Sequence, residues 1–405
     1  MKPLLVSSFT ATSAMGRGLD QTLAALQARH CPLKPCDFDT VDLDTWIGEV
    51  PGLDQVVLPA ALADFNCRNN RLLLLALKQD GFTEAVQAAV QRHGRQRVGV
   101  FMGTSTSGIF ETELAYRQRD AQTGALPTGF HYAQTHNTFS AADFTRRYFQ
   151  LAGPAFAVSS ACSSSAKVFA SARRMIQAGL IDAAVVGGVD SLCLTTLYGF
   201  NSLGLTSSQP CRPFDVARSG ISVGEAAALG LLERAPETVA DDAVLLLGIG
   251  ESSDAYHMSS PHPDGLGARL AMDAALAMAG LLPAQIDYIN LHGTATPSND
   301  LTEGRAVSGL FGAHVACSST KGATGHTLGA AGGMEAVICA LALQHGVLPA
   351  GLNTTQRDPA IALDYVLENR HRRVEHVLSN SFGFGGTNCS LVFGRADRSS
   401  RDIDG

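Results

Sequence analysis

From Arg97 onward, short runs rich in β-branched residues alternate with alanine-rich stretches of helical length, and few architectures accommodate that alternation. The apolar runs are RVGVFMG, GPAFAVSSA, DAAVVGGVD, DYINLHGT, HVACSST, HVLSNSFGFGG and CSLVFG. They are continuous, without a polar residue at every second position, which predicts strands covered on both faces. Helices are predicted between them over Ser163 to Ala178, Gly267 to Ala279 and Thr327 to His345. The result is an α/β fold whose small helical side chains let helices lie close to sheets and to one another. The opening MKPLLVSSFTATSAMG has an apolar run of only Pro3 to Val6, too short for a signal peptide, and reads as a buried first strand.

At 405 residues with no long polar linker, the chain reads as one large body or two fused halves. Its hydrophobic content of 45% and charged content of 17% suit a sizeable core. A net charge of −7, with basic residues scattered, gives no reason to expect nucleic acid or an anionic membrane as partner. No run reaches the length expected of a membrane helix. The nine cysteines are scattered without zinc spacing, which predicts reduced thiols in a cytoplasmic setting and implies no metal. The stretches Arg117 to Thr128 and Ser207 to Gly220 read as loops, and the charged tail RADRSSRDIDG is expected to fray.

Four segments could carry chemistry. In AVSSACSSSAKVFASARRMIQAG a strand meets a helix at Cys162, where helix N–H groups are expected to lower the thiol pKa and make a nucleophile. Taken alone, that cysteine is more often a packed core thiol. In DYINLHGTATPSNDLTE a strand delivers His292 into a Gly/Thr turn, with a helix starting near Asn299 or Asp300. STKGATGHTLGAAGGMEAV places Lys321 and His326 in a second glycine-lined loop. A single histidine is usually structural, but two at strand-to-helix loops point to a site. The fourth, NSFGFGGTN, should bend sharply at Gly383, Gly385 and Gly386 and could supply an oxyanion donor. As a phosphate loop it is weak, since no Lys-Ser/Thr pair follows.

In this order and at these separations, the segments resemble the β-ketoacyl-acyl-carrier-protein synthases of types I and II, in the thiolase superfamily. The resemblance runs from about Arg97 to Phe393 and also takes in CRPFDVARSGISVGEAA and DAYHMSSPHPDG. It implies a duplicated thiolase-like fold of five α-β-α-β-α layers, with halves at 1–245 and 246–394 and a flexible tail at 395–405. It implies that Cys162 accepts an acyl group, while His292 and His326 bind the malonyl thioester carbonyl and support loss of carbon dioxide. Lys321 and Glu335 match buried charged residues near the second histidine, with the lysine orienting His326, and Asp300 and Glu303 match carboxylates that pair with it. Phe384 matches a gating residue, and Thr294 and Thr296 match contacts to the pantetheine arm. The backbone N–H groups of Cys162 and Phe384 would form the oxyanion hole.

The resemblance implies no cofactor beyond the phosphopantetheine of an acyl carrier protein, and a homodimer or a heterodimer with a related subunit. A thiolase would need a second catalytic cysteine where GFGG stands, and a third type of condensing enzyme has Asn at the place of His326. A non-catalytic, chain-length-factor-like subunit would lack the nucleophile. The residues before Arg97 match poorly; CRNNRLLLLAL and GTSTSGIFETE differ from housekeeping enzymes, in regions that build the acyl pocket and dimer face, so specificity stays open between fatty-acid and specialised polyketide or aryl-polyene synthesis.

Overall fold

The computed structural model describes residues 2–396. Ten strands carry the architecture: β1 Leu4–Ser13, β2 Val98–Gly103, β3 Ala155–Val158, β4 Ala183–Asp190, β5 Ala226–Arg234, β6 Val244–Ser253, β7 Tyr288–Asn290, β8 Ala316–Ser318, β9 His376–Gly383 and β10 Thr387–Arg395. The helices that matter here are α1 Arg68–Leu77, α2 Ser140–Tyr148, α3 Ser164–Gln177, α4 Leu194–Ser202, α5 Leu266–Ala279, α6 Pro297–Phe311 and α7 Ala331–His345. α6 begins earlier than Asn299 because Pro297 suits a first helical turn, where its missing N–H costs nothing.

The strand order exposes a duplication. Strands β1 to β5 lie side by side as β1-β5-β4-β2-β3, and β6 to β10 lie as β6-β10-β9-β7-β8. The senses repeat as well: the first two contacts of each set are antiparallel and the last two parallel. β1 joins the sets by pairing with both β5 and β6, so the opening apolar run of the chain becomes a long strand at the seam.

Two-sided burial explains the continuous apolar runs, as every residue of β4 is buried. One face of the first sheet is covered by α1 and α2, the outer face of the second by α5, and α3 and α7 pack between the sheets. The central layer needs small residues: a Cβ added at Gly332 on α7 would lie 2.7 Å from the Cβ of Ala166 on α3. The stretch Leu328–His345 is apolar and long enough to span a membrane by composition, contrary to the sequence expectation, but 89% of it is buried inside the protein. Central burial, not lipid, accounts for that composition. All nine cysteines are free thiols. The tail expected to fray from residue 395 starts later than that, since Arg395 ends β10 paired with Val244 and Ala396 is buried; residues 397–405 lie outside the described residues.

Candidate active site

In both halves the third strand runs into a loop and then into a central helix. In the first half that loop carries Cys162, and in the second it carries Lys321 and His326; His292 follows the second strand of the second half. The duplication therefore aims both central helices at one place. Cys162, His292 and His326 are 5%, 1% and 3% exposed, and their ligating atoms lie within 4.8 Å of one another.

The turn before Cys162 is held by the hydroxyls around it. Ala161 takes a left-handed φ of 50°, which costs a residue with a Cβ about 1 kcal/mol and must be imposed by its surroundings. Ser164 Oγ donates to the Ala161 carbonyl at 2.6 Å, and Thr387 Oγ1 donates to the Ser160 carbonyl at 3.2 Å. The serines thus act as staples as well as small neighbours.

The thiol departs from the sequence expectation. Burial pushes Cys162 up to about 11, against the opposing pull of the Lys321 ammonium and the Phe384 N–H. Desolvation of a thiolate is the largest cause, because the sulfur is almost wholly buried at the floor of the cleft. Iodoacetamide labelling of Cys162 is accordingly expected to accelerate about tenfold per pH unit from pH 7 to 9 without levelling. A rate that levels off below pH 8, followed by mass spectrometry, would show a depressed thiol instead.

His326 is clamped through its backbone: its N–H donates to the Ser222 carbonyl at 2.7 Å, and the Gly224 N–H donates to its carbonyl at 2.9 Å. Its Nδ1 accepts from the Leu328 N–H at 3.3 Å, and its Nε2 lies 3.0 Å from Cys162 Sγ. The His292 ring stands nearly perpendicular, its centroid 5.4 Å away, with Nδ1 3.4 Å from Lys321 Nζ. Each Nδ1 faces a donor, so each neutral ring carries its proton on Nε2. Burial, and then the nearby Lys321 charge, hold both rings well below the usual histidine range. Acid must therefore protonate the unfolded chain's histidines first, and this pair withdraws stability as pH falls below about 6.5. The spacing of the three groups would also suit a metal ion, but the rings present N–H donors, not lone pairs.

Lys321 corrects a second expectation. Its ammonium donates to Glu335, to the His292 carbonyl and to His292 Nδ1, so it orients His292 and not His326. Those three acceptors use all its protons. Glu335 is buried as expected and carries the pairing alone; its own burial pushes the carboxyl up to about 7 despite the ammonium. Lys321→Ala, leaving Glu335 buried and unpaired, is expected to cost about 3–5 kcal/mol of stability in urea unfolding; a loss under 1 kcal/mol would refute the isolated pair.

Asp300 and Glu303 do not pair with that lysine. Glu303 accepts the N–H groups of His292 and Gly293 at 2.8 Å each and holds the first histidine loop, while its burial pushes it up to about 7. Asp300 accepts from Phe214 N–H at 2.8 Å and Ala295 N–H at 3.2 Å. Both are acceptors for a sharply turned backbone, where Ala295 has a φ of 66°.

The cleft above the three groups is lined by Phe200, Thr294, Thr296, Asn299, Phe384 and the loop at Ser259 to Pro261, among others. Thr294 and Thr296 are thus at the cleft, with their hydroxyls 2.9 Å apart. Phe384 sits on the β9 to β10 turn beside Cys162, its ring 5.8 Å from Phe200 on α4. Neither CRNNRLLLLAL nor GTSTSGIFETE lines this cleft. Arg68 of the former instead makes a buried pair with Glu225 at 2.7 Å, while Thr104, Ser105 and Thr106 of the latter wrap the Asp190 carboxylate. Sequence reasoning missed Ser222, Gly224, Phe200 and Asp190. GISVGEAA was singled out as a stretch, but only the folded chain places it against His326.

Residues 71–238 match the family described as beta-ketoacyl synthase, N-terminal domain, and residues 243–355 its C-terminal domain. The chain is 31% identical over 97% of its length to 3-oxoacyl-[acyl-carrier-protein] synthase 2 of Coxiella burnetii, covering 98% of that protein. It is 42% identical to the mitochondrial 3-oxoacyl-[acyl-carrier-protein] synthase of Arabidopsis thaliana over 60% of this chain and 56% of that one. Among solved structures, it resembles a chain of the complex of a ketosynthase with its chain length factor from Xenorhabdus doucetiae, with 40% identity, a TM-score of 0.88 and 98% of both chains covered.

Proposed function

Because the chain belongs to the β-ketoacyl synthase family, we propose that Cys162, His292 and His326 divide between them the two halves of a decarboxylative condensation. In the first half, the Cys162 thiol exchanges with an acyl thioester: the new S–C bond forms, the old one breaks, and the proton of Cys162 leaves on the departing pantetheine thiol. With the Cys162 thiol held near 11, deprotonation accompanies attack and the thiolate does not stand ready. The tetrahedral oxyanion is received by the backbone N–H groups of Cys162 and Phe384.

In the second half, a malonyl thioester enters by the same cleft, its pantetheine arm passing Thr294 and Thr296. Its carbonyl oxygen takes two hydrogen bonds, from Nε2–H of His292 and of His326. As the carboxylate leaves as carbon dioxide, its bonding pair becomes the enolate, whose negative oxygen those donors stabilise. The enolate carbon attacks the acyl carbon on Cys162, the Cys162–acyl bond breaks to release a thiolate that regains its proton from water, and a β-ketoacyl thioester remains on the carrier. The observation carrying this reading is the pair of Nδ1 atoms facing donors, which leaves two N–H groups beside one sulfur. Lys321 and Glu335 hold His292, and Glu303 and Asp300 hold its loop.

The substrate carrier is an acyl carrier protein, as the names of the relatives indicate, and no further cofactor enters the steps above. Likeness to a chain of a ketosynthase–chain length factor complex favours a related second subunit over a second copy. The free edge at β3, where Phe156 is half exposed, is a surface such a partner would cover. A non-catalytic subunit is a poor fit, since the nucleophile and both imidazoles are present and in contact. A thiolase is a poor fit too: Cys389 is buried within β10, away from the cleft. We read the chain as two thiolase-like halves acting in the cytoplasm, but divided before Val244 and running to Arg395, since the expected bounds 1–245 and 246–394 would cut β6 and β10. Co-expression with candidate partner subunits, followed by condensation assays on acyl and malonyl carriers, tests the assembly; full activity of the chain alone would overturn the two-subunit part.

A further inference from the structure

Asp190, at the end of β4, is fully buried, and among the described residues no cation pairs with it. Its charge is met by uncharged donors alone: Thr104 Oγ1, the N–H and Oγ of Ser105, the N–H and Oγ1 of Thr106, and the N–H of Gly329. Five of these come from one loop of the first half, and the sixth, at 2.6 Å, comes from the second half, three residues beyond His326. A carboxylate that satisfied only its own half would need no such reach.

The segment it grips is the one that sets the His326 ring. Leu328 has a φ of 53°, a conformation a leucine does not hold unaided, and its N–H is the donor to His326 Nδ1 at 3.3 Å. Gly329 follows at once, with no room for a side chain: a Cβ there would meet Asp190 Oδ2 at 2.7 Å. We propose that Asp190 is a positioning residue for His326, holding Gly329 so that the Leu328 N–H stays on Nδ1 and the ring proton stays on Nε2, facing the substrate. A carboxylate does this better than an amide because it offers acceptors on both oxygens. In Asp190→Asn, one of the two atoms becomes a donor and confronts either Gly329 N–H or the Ser105 backbone. The 328–329 turn then loses its anchor, and the other tautomer of His326 becomes accessible.

This rests on the role given to His326 above, and the test separates the two. In histidine-¹⁵N-labelled protein, with the His326 signal identified by its loss in His326→Gln, the wild type should show Nε2 protonated and Nδ1 bare. Asp190→Asn should show a mixture of tautomers. Its kcat for condensation should fall about tenfold or more, with KM for the malonyl carrier and the rate of Cys162 acylation each within about threefold of wild type. A protonated Nδ1 in the wild type overturns the proposal, whether or not the variant folds. So does a folded Asp190→Asn with an unchanged His326 signal and unchanged kcat, which is what a mere staple predicts. If the tautomer shifts while kcat holds, the tie stands as geometry but its effect on the reaction is refuted, and with it the donor role of His326.

Discussion

Cys162→Ala is expected to form no acyl-enzyme, and condensation should fall by about 10⁴-fold or more, because the residues that remain can bind substrate but cannot exchange a thioester. Intact-mass measurement after incubation with an acyl carrier reads this directly. Cys162 is 5% exposed, and the substitution removes one sulfur from a packed turn, so the fold should survive and circular dichroism should match wild type. Eight other cysteines remain in that variant as internal controls; seven of them are raised by burial. An acyl adduct on the variant would move the nucleophile elsewhere and end the assignment.

His326→Ala separates the half-reactions. Acylation of Cys162 should continue, within about tenfold of wild type, whereas release of carbon dioxide from the malonyl carrier should slow by about 10²–10³-fold, the usual loss when one of two oxyanion donors is removed. His292→Ala should give a similar loss of decarboxylation, but with a stability cost, since Lys321 also uses that ring as an acceptor. Condensation by His326→Ala at the wild-type rate would refute the role. The pH profile adds a second check: both rings are held well below 6.5, so decarboxylation should not decline between pH 7.5 and 6 through their protonation. A decline with a midpoint near the ordinary histidine value would mean a ring exposed to water.

Much of the site was legible in the chain because catalytic groups in α/β folds sit where strands end, and there the sequence is conspicuous. Cys162, His292 and His326 each follow an apolar run and lie among glycine, serine or threonine, and those are the groups found together. Glu335 was readable as buried because it interrupts an apolar helix. The partners of Lys321 were not readable. Burial of the lysine called for a carboxylate and the resemblance offered Glu335, Asp300 and Glu303, but only the fold decides that one takes the ammonium while the other two hold backbone N–H groups.

By itself, then, the order of residues determined which side chains would stand at strand ends, and that the strands would be covered on both faces. Alternation and composition act locally, and each run carries its own evidence. The tertiary structure alone decided three things: the protonation of Cys162, the tautomers of the two rings, and the grip of Asp190 on a turn 139 residues away. Desolvation and hydrogen bonding depend on what lies within a few ångströms in space, and residues from both halves of a duplicated fold meet there without any mark of it in the chain.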